Sequence, residues 1–226
     1  MLASGRARMY RGRVSRGRLI TVEGLDGAGK TTLAEGLAGE LAARGARVEL
    51  LREPGGVEVS ERIRALVKDP GLSIAPRTEA LLYAAARAQL VEERLEPLLS
   101  DGVIVLLDRF VDSSLAYQGA GRSLGIEEVR AINLFATGPL VPDRTLLLQI
   151  SPDAGRARAN ERALEPDRLE QEGDDFFATI ADAYDELARA EPERIRVIDA
   201  MQPAAQVLRE ALAAVQDLLV LFNSRD

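Results

Sequence analysis

The sequence predicts an α/β fold: a doubly wound, five-stranded parallel sheet flanked by helices. Three features carry that prediction. From residue 19 onward, short apolar runs alternate with long amphipathic stretches. The apolar runs lack strict alternation, as expected of strands covered on both faces. A glycine-rich turn joins the first run to the first amphipathic stretch.

The elements follow in order. Leu19–Glu23 reads as a strand, then the glycine-rich turn, then a helix to about Arg44 with Gly45 as its C-cap. Arg47–Leu51 is the second strand and runs into the loop Arg52-Glu53-Pro54-Gly55-Gly56. A helix covers Val57–Val67, and a longer one runs from Pro76, a residue suited to a first turn, towards Ser100. After the Asp101-Gly102 turn, Val103–Leu107 is a fully apolar strand. Helices are expected at Asp112–Gln118 and Ile126–Thr137, with a strand at Arg144–Ile150. Pro152–Ala163 reads as helical, followed by a charged segment to about Glu172. A helix at Asp174–Ala190, a strand at Arg194–Ile198 and a helix at Pro203–Phe222 complete the chain.

Composition excludes several chemistries. The 226 residues contain no histidine and no cysteine, so no imidazole base, thiol nucleophile, disulfide or His/Cys zinc site can be built. A metal would have to be a hard cation held by oxygens, such as Mg²⁺. The longest apolar runs are far too short to span a bilayer, which makes the cytoplasm the expected location. The formal charge is −7, unevenly placed. Residues 1–18 hold six arginines and no acid, leaving 23 basic against 36 acidic side chains in the body. The acidic body argues against binding nucleic-acid backbone. The head lacks the apolar segment of a signal peptide and reads as a disordered extension, or as sequence upstream of a later start at Met9. The expected domain plan is this head at 1–18 and one domain at 19–226, with a lid at about 152–172.

The chemistry lies in Gly24-Leu25-Asp26-Gly27-Ala28-Gly29-Lys30-Thr31, which matches the phosphate-binding P-loop pattern in its required strand-to-helix context. Thr32 continues into the helix. Backbone N–H groups and the helix N-terminus would cradle ATP phosphates. Lys30 can reach the β- and γ-phosphates, and the Thr31 hydroxyl can ligate Mg²⁺. Lys30 is one of only two lysines, the other being Lys68. Asp108, at the end of the apolar strand 103–107, is the expected second carboxylate near the metal.

Four blocks narrow the reading: Arg52-Glu53-Pro54-Gly55-Gly56; Leu107-Asp108-Arg109-Phe110 with Ser113-Ser114 and Ala116-Tyr117-Gln118; Asp167-Arg168-Leu169-Glu170; and the P-loop. In order and spacing they resemble the thymidylate kinase family of P-loop nucleoside monophosphate kinases, over roughly residues 19–220. The resemblance implies transfer of the ATP γ-phosphoryl group to dTMP. It implies that Arg109 and Arg64 hold the dTMP phosphate, and that Glu53, Pro54 and Ser113 help to form the dTMP site. Asp26 would face the sugar 3′-OH and the phosphate–metal region. Tyr83, where many members carry Phe, would stack on thymine, with Arg87 donating to its O4. Ser114 and Gln118 would complete the base edge, and Tyr117 would crowd a ribose 2′ position. The P-loop position that carries arginine in some members is Gly27 here, so the catalytic positive charge should come from the lid, as in bacterial-type enzymes. Arg158 and Arg162, four apart on one helical face, are the candidates, with Arg156 weaker. Asp167 and Glu170 would order the lid or touch the metal's water shell. A homodimer packed through helices near the base pocket is also implied. The alternative is a P-loop monophosphate kinase for a different base, which the Arg87, Ser114 and Gln118 set opposes.

Overall fold

The structure, a computed structural model, describes residues 16–161 and 167–223, with side chains to 219. Strands β1 (Leu19–Gly24), β2 (Val48–Arg52), β3 (Ile104–Asp108), β4 (Arg144–Gln149) and β5 (Ile195–Asp199) form one sheet. All four pairings are parallel, in the order β2-β3-β1-β4-β5. From β1 the chain crosses β3 to reach β2, and from β3 it crosses β1 to reach β4. Neighbouring strands whose connections depart to opposite sides leave a crevice beyond their C-terminal ends, where ligands of such sheets bind.

Alternation along the strands sorts side chains to two faces. Ile104 and Leu106 join the cluster containing Leu33, Leu37 and Leu41 of helix α1 (Lys30–Ala43). Val105 and Leu107 join Leu90, Leu95 and Leu99 in a second cluster. Those three leucines lie on one continuous helical rod, α3 (Pro76–Leu90) and α4 (Glu96–Ser100), joined by a π-helical turn at Val91–Leu95. Helix α2 (Glu58–Lys68) precedes it and packs on α3, which also packs on α6 (Ile126–Thr137). The last helix, α9 (Ala204–Asn223), packs against α1, as residues Val207, Ala211 and Val215 require.

Two elements differ from expectation. The segment read as a helix at 112–118 is a single α turn, α5 (Val111–Ser114), that widens into a π-helix over Leu115–Gly121. Packing against α6 and α8 (Asp174–Ala190) accompanies that widening, and a Cβ at Gly121 would stand 2.7 Å from the Phe176 ring. Helix α7 (Pro152–Asn160) ends three residues before the expected Ala163. Residues 16–18, grouped by charge with the head, pack on the body: Arg18 pairs with Asp143 at 2.8 Å and Arg16 with Glu96 at 3.2 Å. The head reading for residues 1–15 lies outside the described residues. Among the described residues no helix is long and apolar enough to cross a membrane.

Candidate active site

The C-terminal ends of β1 and β3 open into a cavity of about 860 Å³. The P-loop forms one wall. Gly27 and Gly29 adopt φ of +81° and +93°, conformations natural only to glycine, and so turn the backbone into the start of α1. A Cβ on Gly27 would lie 2.0 Å from the Gly155 carbonyl oxygen of α7. The P-loop and the lid helix therefore touch backbone to backbone, which leaves no room for a side chain at position 27.

Lys30, buried, donates to the Leu25 carbonyl at 2.8 Å and stands 3.7 Å from Asp26. Burial, then the like charge of Arg109, presses the Lys30 ammonium down to about 8. Thr31 Oγ1 donates to Asp108 Oδ2 at 2.8 Å. A hydroxyl beside a carboxylate at a phosphate cradle is the oxygen pair a P-loop offers to Mg²⁺, with phosphates and water completing the shell. Thr32 lines the same cavity. Gly24 and Leu25 border a second, smaller cavity beside β4 and α8.

Arg109 follows β3 with φ +71°, a conformation costly for a residue with a Cβ. Two buried hydrogen bonds hold it. Its own N–H donates to the Val22 carbonyl at 3.0 Å, and the next N–H, of Phe110, donates to Glu23 Oε1 at 2.7 Å. The guanidinium then reaches Asp26 Oδ1 at 2.6 Å, Ser113 Oγ at 3.0 Å and the Tyr117 hydroxyl at 3.2 Å. Burial opposes ionisation of Asp26, but Arg109 and Lys30 beside it hold its carboxyl well below the usual range.

Glu23 and Lys68 are site residues that sequence reasoning missed. Glu23 is fully buried and accepts from Ser113 Oγ at 2.5 Å and Tyr184 at 3.0 Å. Burial above all, then the charge of Asp112, pushes it up to about 7. An acid within an apolar strand run was the available signal. Lys68 pairs with Asp167 at 2.5 Å on the cavity wall. Both lysines of the chain thus line the site.

The far end of the cavity holds Glu53, Pro54, Arg64, Tyr83, Arg87, Ser114 and Gln118. Arg64 donates to the Pro54 carbonyl at 2.9 Å, tying α2 to the loop after β2. Arg87 is buried, and each of its nitrogens is engaged. Nε donates to Glu53 at 2.7 Å, Nη2 to the Phe110 carbonyl at 2.9 Å, and Nη1 to Ser114 Oγ at 2.9 Å and to Asn133. Its guanidinium therefore anchors Ser114 at the cavity wall.

Arg156 and Arg158 do not line this cavity. Arg158 donates to the Ala200 carbonyl at 2.9 Å, on the loop between β5 and α9. Arg156 pairs with Asp174 and lies 5.5 Å over the Phe177 ring. Arg162 falls outside the described residues. Asp167 and Glu170 cap each other's turn: Glu170 accepts from Asp167 N at 2.9 Å, and Asp167 from Glu170 N at 3.1 Å.

Comparison with known proteins agrees with this geometry. The thymidylate kinase family model matches residues 22–211. The thymidylate kinase of Thermoanaerobacter sp. (strain X514) is 44% identical over 204 residues, which cover 90% of this chain and 100% of that protein. That of Deinococcus radiodurans is 47% identical over 204 residues, covering 90% and 98%. That of Latilactobacillus sakei is 46% identical over 211 residues, covering 92% and 99%. A P-loop facing a half-buried arginine at the β3 end, with similarity of this kind over some nine-tenths of the chain, shows that the chain belongs to the thymidylate kinase family.

Proposed function

We propose that the protein phosphorylates dTMP to dTDP with ATP as donor, and that the cavity between the P-loop and α3 is where the transfer occurs. The observation that carries this reading is one cavity lined by both the P-loop lysine and the Arg87–Ser114–Gln118 wall. It has room for a phosphate donor at one end and a nucleoside monophosphate at the other.

In the reaction, a dTMP phosphate oxygen forms a bond to the γ-phosphorus while the bond to the β,γ-bridging oxygen breaks. ADP leaves with that electron pair. The attacking oxygen is already deprotonated, so no protein base is needed, in keeping with a chain without histidine. What the transfer needs is positioning and charge neutralisation. The P-loop backbone of Gly24 to Thr32 binds the ATP phosphates, with Lys30 moving from the Leu25 carbonyl to the transferred group. Arg109 and Arg64 bind the dTMP phosphate, Asp26 orients Arg109, and Tyr117 packs on the sugar. Tyr83 covers the thymine face, while Ser114 and Gln118 meet its polar edge. Thr31 and Asp108 would hold Mg²⁺, which supplies charge neutralisation at the phosphates when bound. Residues 152–172 act as the lid and exclude water on closing. Arg158 then swings to the ATP phosphates, and the missing Cβ at position 27 keeps the lid helix close enough for this.

Resolving the products of ATP, MgCl₂ and dTMP by anion-exchange chromatography tests the reading. Equal amounts of ADP and dTDP are expected; ADP without dTDP would overturn it.

A homodimer is supported by a separate observation. Phe135 (94% exposed) and Leu134 on α6, Leu81 on α3, and Leu66 and Val59 on α2 leave an apolar face on three packed helices. Light scattering should give twice the chain mass, and Phe135→Glu should give the monomer; a monomeric wild type would refute the pairing. The cytoplasm is the compartment we assign, since the chain has neither a cysteine to oxidise nor, among its described residues, a membrane-spanning helix.

A further inference from the structure

Glu79 has no part in the chemistry described so far, yet its surroundings are unusual. It sits in the first turn of α3 with its side chain fully buried. Its carboxylate accepts from Gln118 Nε2 at 2.9 Å, from Arg122 Nε at 3.3 Å and Nη2 at 3.2 Å, and from Arg168 Nη2 at 2.6 Å. Every one of these contacts is an N–H donor aimed at a carboxylate oxygen, so Glu79 serves its neighbours as an acceptor.

That fixes the Gln118 side chain. The amide must present Nε2 to Glu79, because the flipped rotamer would set Oε1 against a carboxylate oxygen. With Nε2 committed to Glu79, Oε1 is the branch of this cavity-lining amide left to accept from a ligand. Four residues earlier, Ser114 Oγ accepts from Arg87 Nη1, which leaves its own proton to donate. The cavity lining therefore holds a hydroxyl free to donate and, four residues on, an amide oxygen free to accept. This pattern complements a pyrimidine edge with a carbonyl next to a ring N–H, as in thymine. Cytosine presents the reverse, an amino donor next to a bare ring nitrogen.

We propose that Glu79 is a positioning residue for base selection: by locking the Gln118 amide with its oxygen towards the cavity, it makes the site reject cytosine. This deepens the dTMP reading and rests on it.

The experiment is the ratio of kcat/KM for dTMP to that for dCMP. In Glu79→Gln the lock is lost, because the new amide can face Gln118 with either end. The ratio should fall about tenfold, with the dTMP loss mainly in KM. A merely structural role would lower both acceptors together and leave the ratio unchanged, which would overturn the proposal. In a Gln118→Ala background, adding Glu79→Gln should not change the ratio further; a further tenfold fall would show that Glu79 acts by another route. If Glu79→Gln does not fold, Glu79→Asp decides the matter. It keeps a charge for both arginines but withdraws the acceptor from Gln118, so a lowered ratio supports the lock and a wild-type ratio refutes it. Failure of the wild type to make dTDP would sink the dTMP reading itself, whereas dTDP formation with an unchanged ratio sinks only the lock.

Discussion

Replacing Lys30 with Met should abolish turnover and raise the stability of the ligand-free protein. Lys30 is buried beside Arg109, and its ammonium is pressed from 10.5 to about 8. Each unit costs about 1.4 kcal/mol, so holding the charged form at pH 7 costs on the order of 3 kcal/mol. Its hydrogen bond to the Leu25 carbonyl, at 2.8 Å, returns roughly 1.5 kcal/mol. Met keeps the stem and removes the charge, while Asp26 keeps Arg109 at 2.6 Å. The net gain is about 1–2 kcal/mol, a rise in Tm of roughly 2–8 °C for a domain of this size. The sign can be checked with pH. The unfolded chain binds the extra proton between pH 8 and 10.5, so wild-type stability climbs across that window and the variant's lead shrinks. Calorimetry at pH 7 and pH 10 reads both effects, and a coupled assay reads the loss of turnover, expected to exceed about 10³-fold. A variant that melts several degrees below wild type at pH 7 would refute the reasoning, since Lys30 would then be a structural residue.

Three further outcomes follow from the same geometry. Glu23→Gln should flatten a pH dependence. Burial raises the Glu23 carboxyl from 4.5 to about 7, so its contribution to wild-type stability is present below pH 4.5 and lost as pH rises through 7, by on the order of 3 kcal/mol; melting profiles of the two proteins that stay parallel from pH 4.5 to 8 would refute this. Gly27→Ala should cost at least about 2 kcal/mol and most activity, because φ is +81° and the new Cβ meets the Gly155 carbonyl at 2.0 Å; urea melts check it, and a neutral substitution would contradict the backbone contact. Arg158→Ala should lower kcat by about 10²-fold or more with little change in the dTMP KM. Steady-state kinetics that show a pure KM effect would remove Arg158 from the ATP side.

The fold was legible because local signals and global architecture coincide. Val103–Leu107 is apolar throughout, and the observed strand Ile104–Asp108 lies inside the sheet between β2 and β1, buried up to Leu107. The P-loop was legible for the same reason, since backbone turn, glycine positions and helix start are all local. The π-helical widening at Leu115–Gly121 was not, because it depends on packing against α6 and α8 rather than on the segment's own propensities. Glu79 and Arg87 show the other limit. Glu79 finds partners 39 to 89 positions away, so no periodicity reveals it. Arg87 lines the cavity, but its engagement with Glu53, Phe110 and Asn133, which occupies the nitrogens expected to meet thymine O4, can be seen only in three dimensions.

The central claim is that one cavity brings ATP and dTMP together for direct transfer. The most direct test is an acceptor panel of dTMP, dUMP, AMP, CMP, UMP and GMP, each with ATP and MgCl₂, scored by kcat/KM. The account predicts that dTMP leads the panel. AMP or CMP outpacing dTMP would contradict it.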